Sequence, residues 1–273
     1  MLLAGWSCGG GTMPTAADER GDEQMDVGLD GRVALVTGAA GGIGRAAAVR
    51  LAAEGCRLAL VDRHLPDAAG FEPDRVVAAS ADVTDETALA RTVAEVERRF
   101  GGLDVVVGCA GVSGPVGTPL DEVTPRQWRE VMDVNVTGSF LLLRATAPLL
   151  RRSPHPVAVL VASDSALVVS PGMAPYCASK AAVLQLARAA SVDLAPIRVT
   201  AVCPSIVDTP MSRADLGIEL GLAGGFDDMP YPVQTPDEVA ASIAFLCSPW
   251  ARAISGTGLV SDFGYSARSG FPA

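Results

Sequence analysis

Tyr176 and Lys180 lie four positions apart in the segment PYCASK, residues 175–180. In a helix this spacing places two side chains on one face, so the phenol and the ammonium group would be neighbours. A tyrosine is a poor base near neutral pH because its unperturbed pKa is about 10. An ammonium group at roughly 5 Å, with an effective dielectric constant of about 20, would favour the phenolate by about 3 kcal/mol, or roughly two pKa units. The pair therefore predicts a group that exchanges a proton with an alcohol or carbonyl oxygen.

The glycine-rich segment TGAAGGIG, residues 37–44, falls where a predicted strand passes into a predicted helix. Gly38 permits a tight turn, Gly42 lets the backbone approach a diphosphate, and Gly44 lets helix and strand pack closely. The helix N-terminus then offers free N–H groups and the positive end of its dipole to that diphosphate. Such a turn can also be purely structural, so the acidic residue that follows the next strand is important.

Asp62 ends the second predicted strand, at the offset where an acidic side chain reaches the ribose of a dinucleotide. A carboxylate accepts hydrogen bonds from both ribose hydroxyls but repels a 2′-phosphate. Gly41 offers no cation to offset that repulsion, although Arg63 could, so the sequence favours NAD over NADP as the cofactor. Asp82 could accept a bond from the adenine amine with Val83 packed on the ring, or Asp82 could simply be an N-terminal helix charge.

The chain supplies a scaffold for these residues from Arg32 onward, in alternating strand and helix patterns. Short apolar runs predict strands at 32–37, 57–62, 75–83, 104–111, 156–163, 197–204 and 258–262. Helices are predicted at 42–55, 84–101 (with a threonine cap), 124–152, 174–194 and 236–248, and 205–235 is irregular. Apolar strands alternating with helices predict a buried parallel sheet covered on both faces. We therefore predict an α/β fold of the doubly wound Rossmann type, with about seven strands and its ligand at their carboxyl ends.

Composition limits the classes of partner. The chain has 273 residues, 49% hydrophobic and 19% charged, which suffices for one domain with a full core. The net charge of −10 argues against a nucleic-acid partner, and no segment is long and apolar enough to predict a membrane span. The six cysteines show no C-x-x-C spacing and there are two histidines, so no metal site is predicted. Scattered cysteines in apolar runs are typical of a reducing compartment, and we expect a cytoplasmic protein.

Residues 1–28 are glycine-rich and then acidic, without periodicity and without the pattern of a signal peptide. We predict that they are a disordered extension and that residues 29–273 form a single domain. The alternative is a start codon assigned too early, since Met13 and Met25 could each begin the chain.

Five short motifs occur in a telling order and spacing: TGAAGGIG (37–44), CAG (109–111), VNVTG (134–138), VASDSA (161–166) and YCASK (176–180). Together they resemble the short-chain dehydrogenase/reductase family in its compact, single-domain subtype, over about residues 30–264. The resemblance implies an oxidoreductase that transfers hydride between an alcohol carbon and nicotinamide, while a proton moves at the substrate oxygen.

The resemblance also assigns roles to four side chains. Tyr176 would be the general acid and base, while Lys180 would lower its pKa and hold the nicotinamide ribose. Ser163, thirteen residues before the tyrosine, would polarise the substrate oxygen, with Ser165 as a rival that is disfavoured by its spacing. Asn135 would hold a water in a proton relay from the lysine to solvent, although alone it could be an ordinary polar helix residue.

Further cofactor contacts are implied in the glycine turn, after strand four and in the irregular segment, at Ile43, Ala110, Val207 and Thr209. Three positions depart from the family pattern. Cys109 stands where the family usually has Asn after strand four. Ser205 replaces the Gly after strand six, and Phe263 replaces the first Gly of the closing Asp-Gly-Gly. These changes put local rigidity and specificity in question and leave the catalytic set intact.

The predicted substrate pocket has an apolar wall, formed by Val112, Pro115, Val116, Ala166, Leu167, Val168 and Met173. The irregular segment 205–235 is predicted to be a mobile lid. It contains one basic residue, Arg213, and more acidic ones. The acidic residues are Asp208, Asp215, Glu219, Asp227 and Asp228. That balance disfavours a strongly anionic substrate, so we expect a neutral, fairly hydrophobic secondary alcohol or ketone.

Two other functions stay open. A 3-oxoacyl-thioester reductase would share the catalytic residues, although Asp62 and the acidic lid argue against it. An NAD-binding redox sensor without turnover would not need the Ser, Tyr, Lys and Asn set. Small residues on more than one face of helix 174–194 predict a second helix there. The family commonly pairs this helix across a dimer axis within tetramers, so we expect a homo-oligomer.

Overall fold

Seven parallel strands form one sheet in this computed structural model, which describes residues 27–218, 225–229 and 231–268. They are β1 Val33–Thr37, β2 Arg57–Asp62, β3 Val76–Ser80, β4 Val105–Gly108, β5 Val157–Val161, β6 Arg198–Pro204 and β7 Gly258–Ser261. Their order across the sheet is β3-β2-β1-β4-β5-β6-β7. The chain thus winds outward in both directions from β1 and β4, which confirms the predicted doubly wound α/β fold.

Helices cover both faces of the sheet. They are α1 Gly42–Ala53, α2 Glu86–Phe100, α3 Pro125–Met132, α4 Gly138–Leu150, α5 Ala174–Asp193, α6 Pro210–Asp215 and α7 Pro236–Cys247. Alternate residues of β1 point to opposite faces, as strand geometry requires, so Leu35 packs with α2, α4 and α5 while Val36 packs with α1 and α7. The carboxyl ends of the strands are left to the loops that carry the predicted site residues.

Helix α2 begins one residue later than a threonine cap would place it. Asp85 is the N-cap, and its carboxylate accepts the N–H groups of Thr87 and Ala88 at 2.9 and 3.0 Å. Thr84 instead donates its hydroxyl to Asp82 at 2.7 Å. The predicted threonine cap is therefore wrong. The Thr84 hydroxyl is bound to Asp82, and the carboxylate of Asp85, a stronger acceptor, caps the helix instead.

The predicted helix 124–152 is one helical path with a change of pitch in its middle. Between α3 and α4 lies a π-helical turn, Asp133–Thr137, in which the N–H of Gly138 donates to the carbonyl of Asp133. The wider turn directs Asn135 inward, where its side chain is 1% exposed. π-helical turns are frequent at functional sites.

The connection from β2 to β3 contains only the single-turn helix Pro73–Arg75. Arg45 holds it in place, donating to the carbonyls of Asp67 and Ala69 at 2.6 and 3.0 Å. The guanidinium also stacks over the ring of Phe71, 4.5 Å from its centroid. The loop that follows Asp62 is thereby fixed to the first turn of α1.

The described chain begins in the core. Leu29 is fully buried, and Val27 packs against the same cluster. The predicted extension, apart from its last two residues, lies outside the described residues, as does Glu219 of the lid. Among the residues described, no helix has both the length and the apolar character needed to cross a bilayer.

The segment 205–235, predicted to be irregular, contains helix α6. Thr209 caps this helix by accepting the N–H of Ser212, while the Ser212 hydroxyl accepts the N–H of Thr209. This reciprocal cap explains why so short a helix forms in a segment without apolar periodicity.

Candidate active site

Tyr176 and Lys180 lie together on the first turns of α5. The Lys180 Nζ is 5.5 Å from the centroid of the Tyr176 ring. The predicted juxtaposition of the two side chains is therefore present. Lys180 is also the single lysine of the chain, since the other residues in the Lys+Arg count of 21 are arginines. A residue type that occurs once in the chain, and there within the motif YCASK, marks this position in the sequence.

The ammonium group of Lys180 is buried beneath the carboxyl end of β5. Its Nζ donates to the carbonyl of Val161 at 2.9 Å, and the residue is 6% exposed. Burial lowers the pKa of Lys180 to about 8, while the neighbouring thiols of Cys109 and Cys203 raise it. The amine is therefore part-charged near pH 8 unless an anion or polar ligand adds to its surroundings.

The pKa of Tyr176 moves in the direction opposite to the prediction. Although the residue keeps part of its surface exposed, burial raises its pKa to about 12. The hydrogen bond with Ser163 lowers that pKa, whereas the charges of Asp164 and Asp215 raise it. Burial, the largest of these influences, thus leaves Tyr176 a weaker acid than a free tyrosine, and the predicted lowering of its pKa by Lys180 stays a prediction.

Ser163 is the serine that meets the tyrosine. It caps the single-turn helix Asp164–Ala166, where its hydroxyl accepts the N–H of Ser165 at 3.1 Å. The same hydroxyl donates to the Asp164 carboxylate at 3.0 Å. Its hydrogen bond with Tyr176 separates it from the rival Ser165 and favours the predicted role at the substrate oxygen.

We expect Asp164→Asn to shift the pH profile of alcohol oxidation to lower pH. The negative charge of Asp164 raises the pKa of Tyr176, so its removal makes the phenolate, the basic form, available at lower pH. Asparagine can still accept the Ser163 hydroxyl. The measurement is kcat against pH for both proteins with one secondary alcohol. A profile that stays in place or moves to higher pH would contradict the expectation.

Asn135 ties three elements together. Its Oδ1 accepts the N–H of Val112 at 2.8 Å, and its Nδ2 donates to the carbonyl of Val112 and to Ser179 Oγ, both at 2.9 Å. A Cβ placed on Gly111 would lie 3.2 Å from Asn135 Oδ1 and 3.5 Å from Lys180 Nζ, so both side chains converge on this glycine. The water relay stays a prediction, while the bracing of the loop after β4 is a direct observation.

The glycine turn packs as the motif predicts. Gly38 has φ of +69°, and a Cβ on it would lie 2.9 Å from the N of Ala110. Gly42 has φ of +51°, and its Cβ would lie 3.3 Å from the methyl group of Thr209. The turn therefore brings Ala110 and Thr209, two predicted cofactor contacts, to one place.

We expect Gly44→Ala to destabilise the fold and to weaken binding of a dinucleotide. A Cβ there would overlap the Gly38 carbonyl oxygen and lie 2.6 Å from its carbon, and both are backbone atoms. Forced overpacking usually costs about 1–3 kcal/mol. The matched control is Gly102→Ala, in the connection that precedes β4 and away from the glycine turn, where no atom lies within 4 Å of the new Cβ. Denaturant unfolding and NAD titration of both variants test this, and equal losses would contradict it.

Asp62 joins the end of β2 to the glycine turn. Its carboxylate accepts the N–H of Ala40 and of His64, each at 3.2 Å. The carboxylate therefore caps a turn, and it also lies beside the turn where a ribose is predicted. The ribose contact itself stays a prediction.

Asp82 and Val83 lie after β3 with their side chains already engaged. The Asp82 carboxylate accepts the N–H and hydroxyl of Thr84, which hold the pKa of Asp82 below its usual value. Val83 is 7% exposed, and its methyl groups fill the space above Gly138. Little of the valine surface is therefore left for adenine, and both contacts stay predictions. Ile43 and Val207 pack against the core cluster around α1, and their cofactor contacts also stay predictions.

Comparisons with known proteins bear on this arrangement. The sequence profile described as enoyl-(acyl carrier protein) reductase matches residues 38–266. A 2-(R)-hydroxypropyl-CoM dehydrogenase of Xanthobacter autotrophicus is 37% identical over 247 residues, covering 86% of this chain and 99% of that protein. The chain belongs to the short-chain dehydrogenase/reductase family.

Two more similarities accompany this membership. An uncharacterised NAD-dependent oxidoreductase of Mycobacterium tuberculosis is 35% identical over 266 residues, covering 86% of this chain and 96% of that protein. The ligand-free structure of Thermoplasma acidophilum aldohexose dehydrogenase superposes with a TM-score of 0.82 at 30% identity, covering 90% of this chain and 98% of that one. The fold of this short-chain dehydrogenase/reductase is therefore shared along nearly its full described length.

Two acidic residues of this short-chain dehydrogenase/reductase act on Tyr176 through their charges, a proximity that was not predicted from the sequence. Asp164 adjoins Ser163, and Asp215 reaches Ser113 from the lid at 2.5 Å. The adjacency of Asp164 to Ser163 was visible in the motif VASDSA. Nothing in the sequence places Asp215 there, since Ser113 lies 102 residues away.

A cavity of about 540 Å³ is lined by residues of the predicted lid and by the N-cap of α7. The lining residues are Asp208, Phe226, Asp227, Met229, Tyr231, Pro232, Val233, Gln234 and Thr235. This lining includes no member of the predicted catalytic set.

Proposed function

We propose that this protein is an NAD-dependent oxidoreductase that interconverts a secondary alcohol and a ketone on a neutral, fairly hydrophobic small molecule. The observation that carries the proposal is the assembly of Ser163, Tyr176 and Lys180 beyond β5, beside a glycine turn that joins β1 to α1. The protein is an oxidoreductase that acts on CH–OH groups. The cofactor preference, the substrate and the residue roles are the proposal.

The glycine turn fits a dinucleotide. Gly41 caps α1 without any side-chain hydrogen bond, so the first N–H groups of that helix are available to an anion. Space around Gly41 is open, since no atom lies within 4 Å of the position that a Cβ would occupy. Asp62 lies beside the turn, and its charge favours NAD over the phosphorylated NADP. When bound, the nicotinamide supplies the hydride acceptor or donor.

Tyr176 exchanges the proton at the substrate oxygen. With a pKa of about 12 the phenol is protonated at neutral pH and is ready to donate to a ketone. Oxidation of an alcohol requires the phenolate, so its rate should rise as the pH rises toward that value. Ser163, fixed at the N-cap of its turn, steadies the same oxygen.

The apolar rim supports a hydrophobic substrate. Leu167 and Val116 are 52% and 37% exposed, a surface that an apolar ligand can cover. The lid carries more carboxylates than cations, which disfavours an anionic substrate. The relative from Xanthobacter autotrophicus is named for a hydroxypropyl compound, which accords with an alcohol substrate.

A spectrophotometric screen tests the proposal. NAD and NADP, oxidised and reduced, are each incubated with a panel of neutral secondary alcohols and their ketones, and the absorbance of the reduced nicotinamide is followed. We expect turnover with NAD and less with NADP. Turnover of acyl thioesters alone would replace the proposal with the reductase alternative, which the description of the matching profile favours. NAD binding without turnover of any substrate would favour a redox sensor.

We further propose a homo-oligomer, a dimer or tetramer, in which α4 and α5 meet a second copy. Phe140 on α4 and Val192 on α5 are 47% and 75% exposed, and alanines share those surfaces. Large apolar side chains exposed on two helices that pack on the same face of the sheet favour such a contact.

A further inference from the structure

Asp215 is the last residue of α6, in the predicted lid. Its side chain contacts a residue outside the lid, in the loop after β4. Its Oδ2 accepts the hydroxyl of Ser113 at 2.5 Å. Ser113 follows β4 and is 7% exposed, so the contact is sheltered from solvent. This hydrogen bond connects the predicted lid to the loop that borders the catalytic residues.

Both ends of this contact are braced. The residue before Ser113 is Val112, whose N–H and carbonyl are both bound by Asn135. On the lid, Arg213 donates two hydrogen bonds to the Asp208 carboxylate, at 2.6 and 2.7 Å, which fixes the start of α6 to its end. The Asp215 carboxylate therefore has a defined place relative to the site.

That place lies within electrostatic reach of the proton-exchanging group. The charge of Asp215 acts on Tyr176 and raises its pKa, as does the charge of Asp164. Asp215 is half-buried, and burial raises its own pKa, so its charge is only partly screened by water. A carboxylate has about four acceptor positions, and Ser113 occupies one of them.

We propose that Asp215 is a specificity-determining residue of the active site, where it favours substrates that present a hydrogen-bond donor or a positive charge near the reacting carbon and rejects those that present an anion there. This inference rests on the proposed function, since it assumes that the substrate binds between Tyr176 and the lid. The proposed function holds that the acidic lid as a whole disfavours anionic substrates. The present proposal assigns that selectivity to one side chain, Asp215. A hydroxyl or ammonium group beside the carbinol would find an acceptor, whereas a carboxylate would face a like charge.

Three matched alcohols and one substitution test the proposal. The probes are 3-hydroxybutanamide, which is neutral, 3-hydroxybutanoate, which is anionic, and 4-amino-2-butanol, which is cationic. In Asp215→Asn the amide oxygen can still accept the Ser113 hydroxyl, so the lid contact is kept while the charge is removed. We expect kcat/KM for the anion, relative to the neutral probe, to rise about tenfold, as for like charges roughly 7 Å apart at an effective dielectric constant of about 30. The relative value for the cation should fall by a similar factor.

Asp193→Asn is the control. Asp193 is exposed and lies seventeen residues beyond Tyr176 on α5, about 25 Å along the helix, and the substitution makes the same change in net charge. If the three probes change alike in Asp215→Asn, or if Asp193→Asn alters the ratios equally, the proposal is overturned.

A binding measurement separates this proposal from the proposed function. If the wild-type protein with NAD turns over neither the probes nor any alcohol or ketone of the spectrophotometric screen, the proposed function fails. Calorimetric binding of the same probes to the NAD-loaded proteins then decides the role of Asp215. A tenfold change in the anion-to-neutral affinity ratio supports it, and an unchanged ratio overturns it.

Discussion

Tyr176→Phe is expected to abolish turnover of alcohols and ketones while NAD still binds. Phenylalanine keeps the ring that lies 5.5 Å from Lys180 Nζ and removes only the hydroxyl that meets Ser163. A positioned acid or base usually contributes about 10²–10⁴-fold to a rate, and without the hydroxyl no other group in the described site exchanges a proton with the substrate oxygen so directly. The loss should therefore appear in kcat rather than in the affinity for the cofactor.

The measurement combines steady-state kinetics with NAD titration by calorimetry. Tyr265→Phe is the matched control, because that ring is 46% exposed and its ring contact is with Tyr231 rather than with a member of the predicted catalytic set. Turnover by the Tyr176 variant near the wild-type rate would refute the assignment of the proton-exchanging group. Loss of NAD binding together with turnover would show that the hydroxyl supports the cofactor pocket instead.

Lys180→Met is expected to lose both cofactor affinity and turnover without losing stability. Burial holds the pKa of this lysine at about 8, which means that the fold disfavours its charge. Methionine has a similar length and needs no solvation, so the free energy of unfolding should be kept or increased even though the Val161 carbonyl loses its donor. The ammonium predicted to hold the nicotinamide ribose is gone, so the KM for NAD should rise and kcat should fall.

A loss of NAD affinity and turnover without a loss in the free energy of unfolding would identify a functional rather than a structural role for Lys180. Arg188→Met removes a positive charge from an exposed position of the same helix and serves as the control for helix stability. A Lys180→Met protein with normal NAD affinity would contradict the predicted contact. Because the chain contains one lysine, protection of that amine by NAD against an acylating reagent, followed by mass spectrometry, gives a second readout.

Local patterns predicted the parts of this site that depend on short spacing. Helical periodicity placed Lys180 beside Tyr176, and the strand-to-helix transition placed Gly38 and Gly44 in a tight turn. The doubly wound parallel sheet followed from the alternation of apolar strands and helices, because crossovers of one hand leave few arrangements. These features depend on residues close in the chain or on rules of topology.

Features that depend on the assembled fold were beyond the sequence. The contact of Asp215 with Ser113 joins segments 102 residues apart. The pKa of Tyr176 depends on how deeply the site is buried, which no spacing reveals. The π-helical turn at Asn135 escaped prediction because a single wider turn does not end a helical path.

That π-helical turn gives the helical path one residue more than a regular α-helix would need. An α-helix advances about 100° per residue, and a π-helical turn takes up an added residue without turning the following half to another side. Leu142 and Leu149, after the turn, are buried in the core, and Asn135, within it, is buried at the site. Deleting one residue from 133–137 would restore regular pitch and keep the leucine packing, so the loss would fall on the bonds of Asn135 to Val112 and Ser179. The added residue therefore serves the site rather than the packing of the helix.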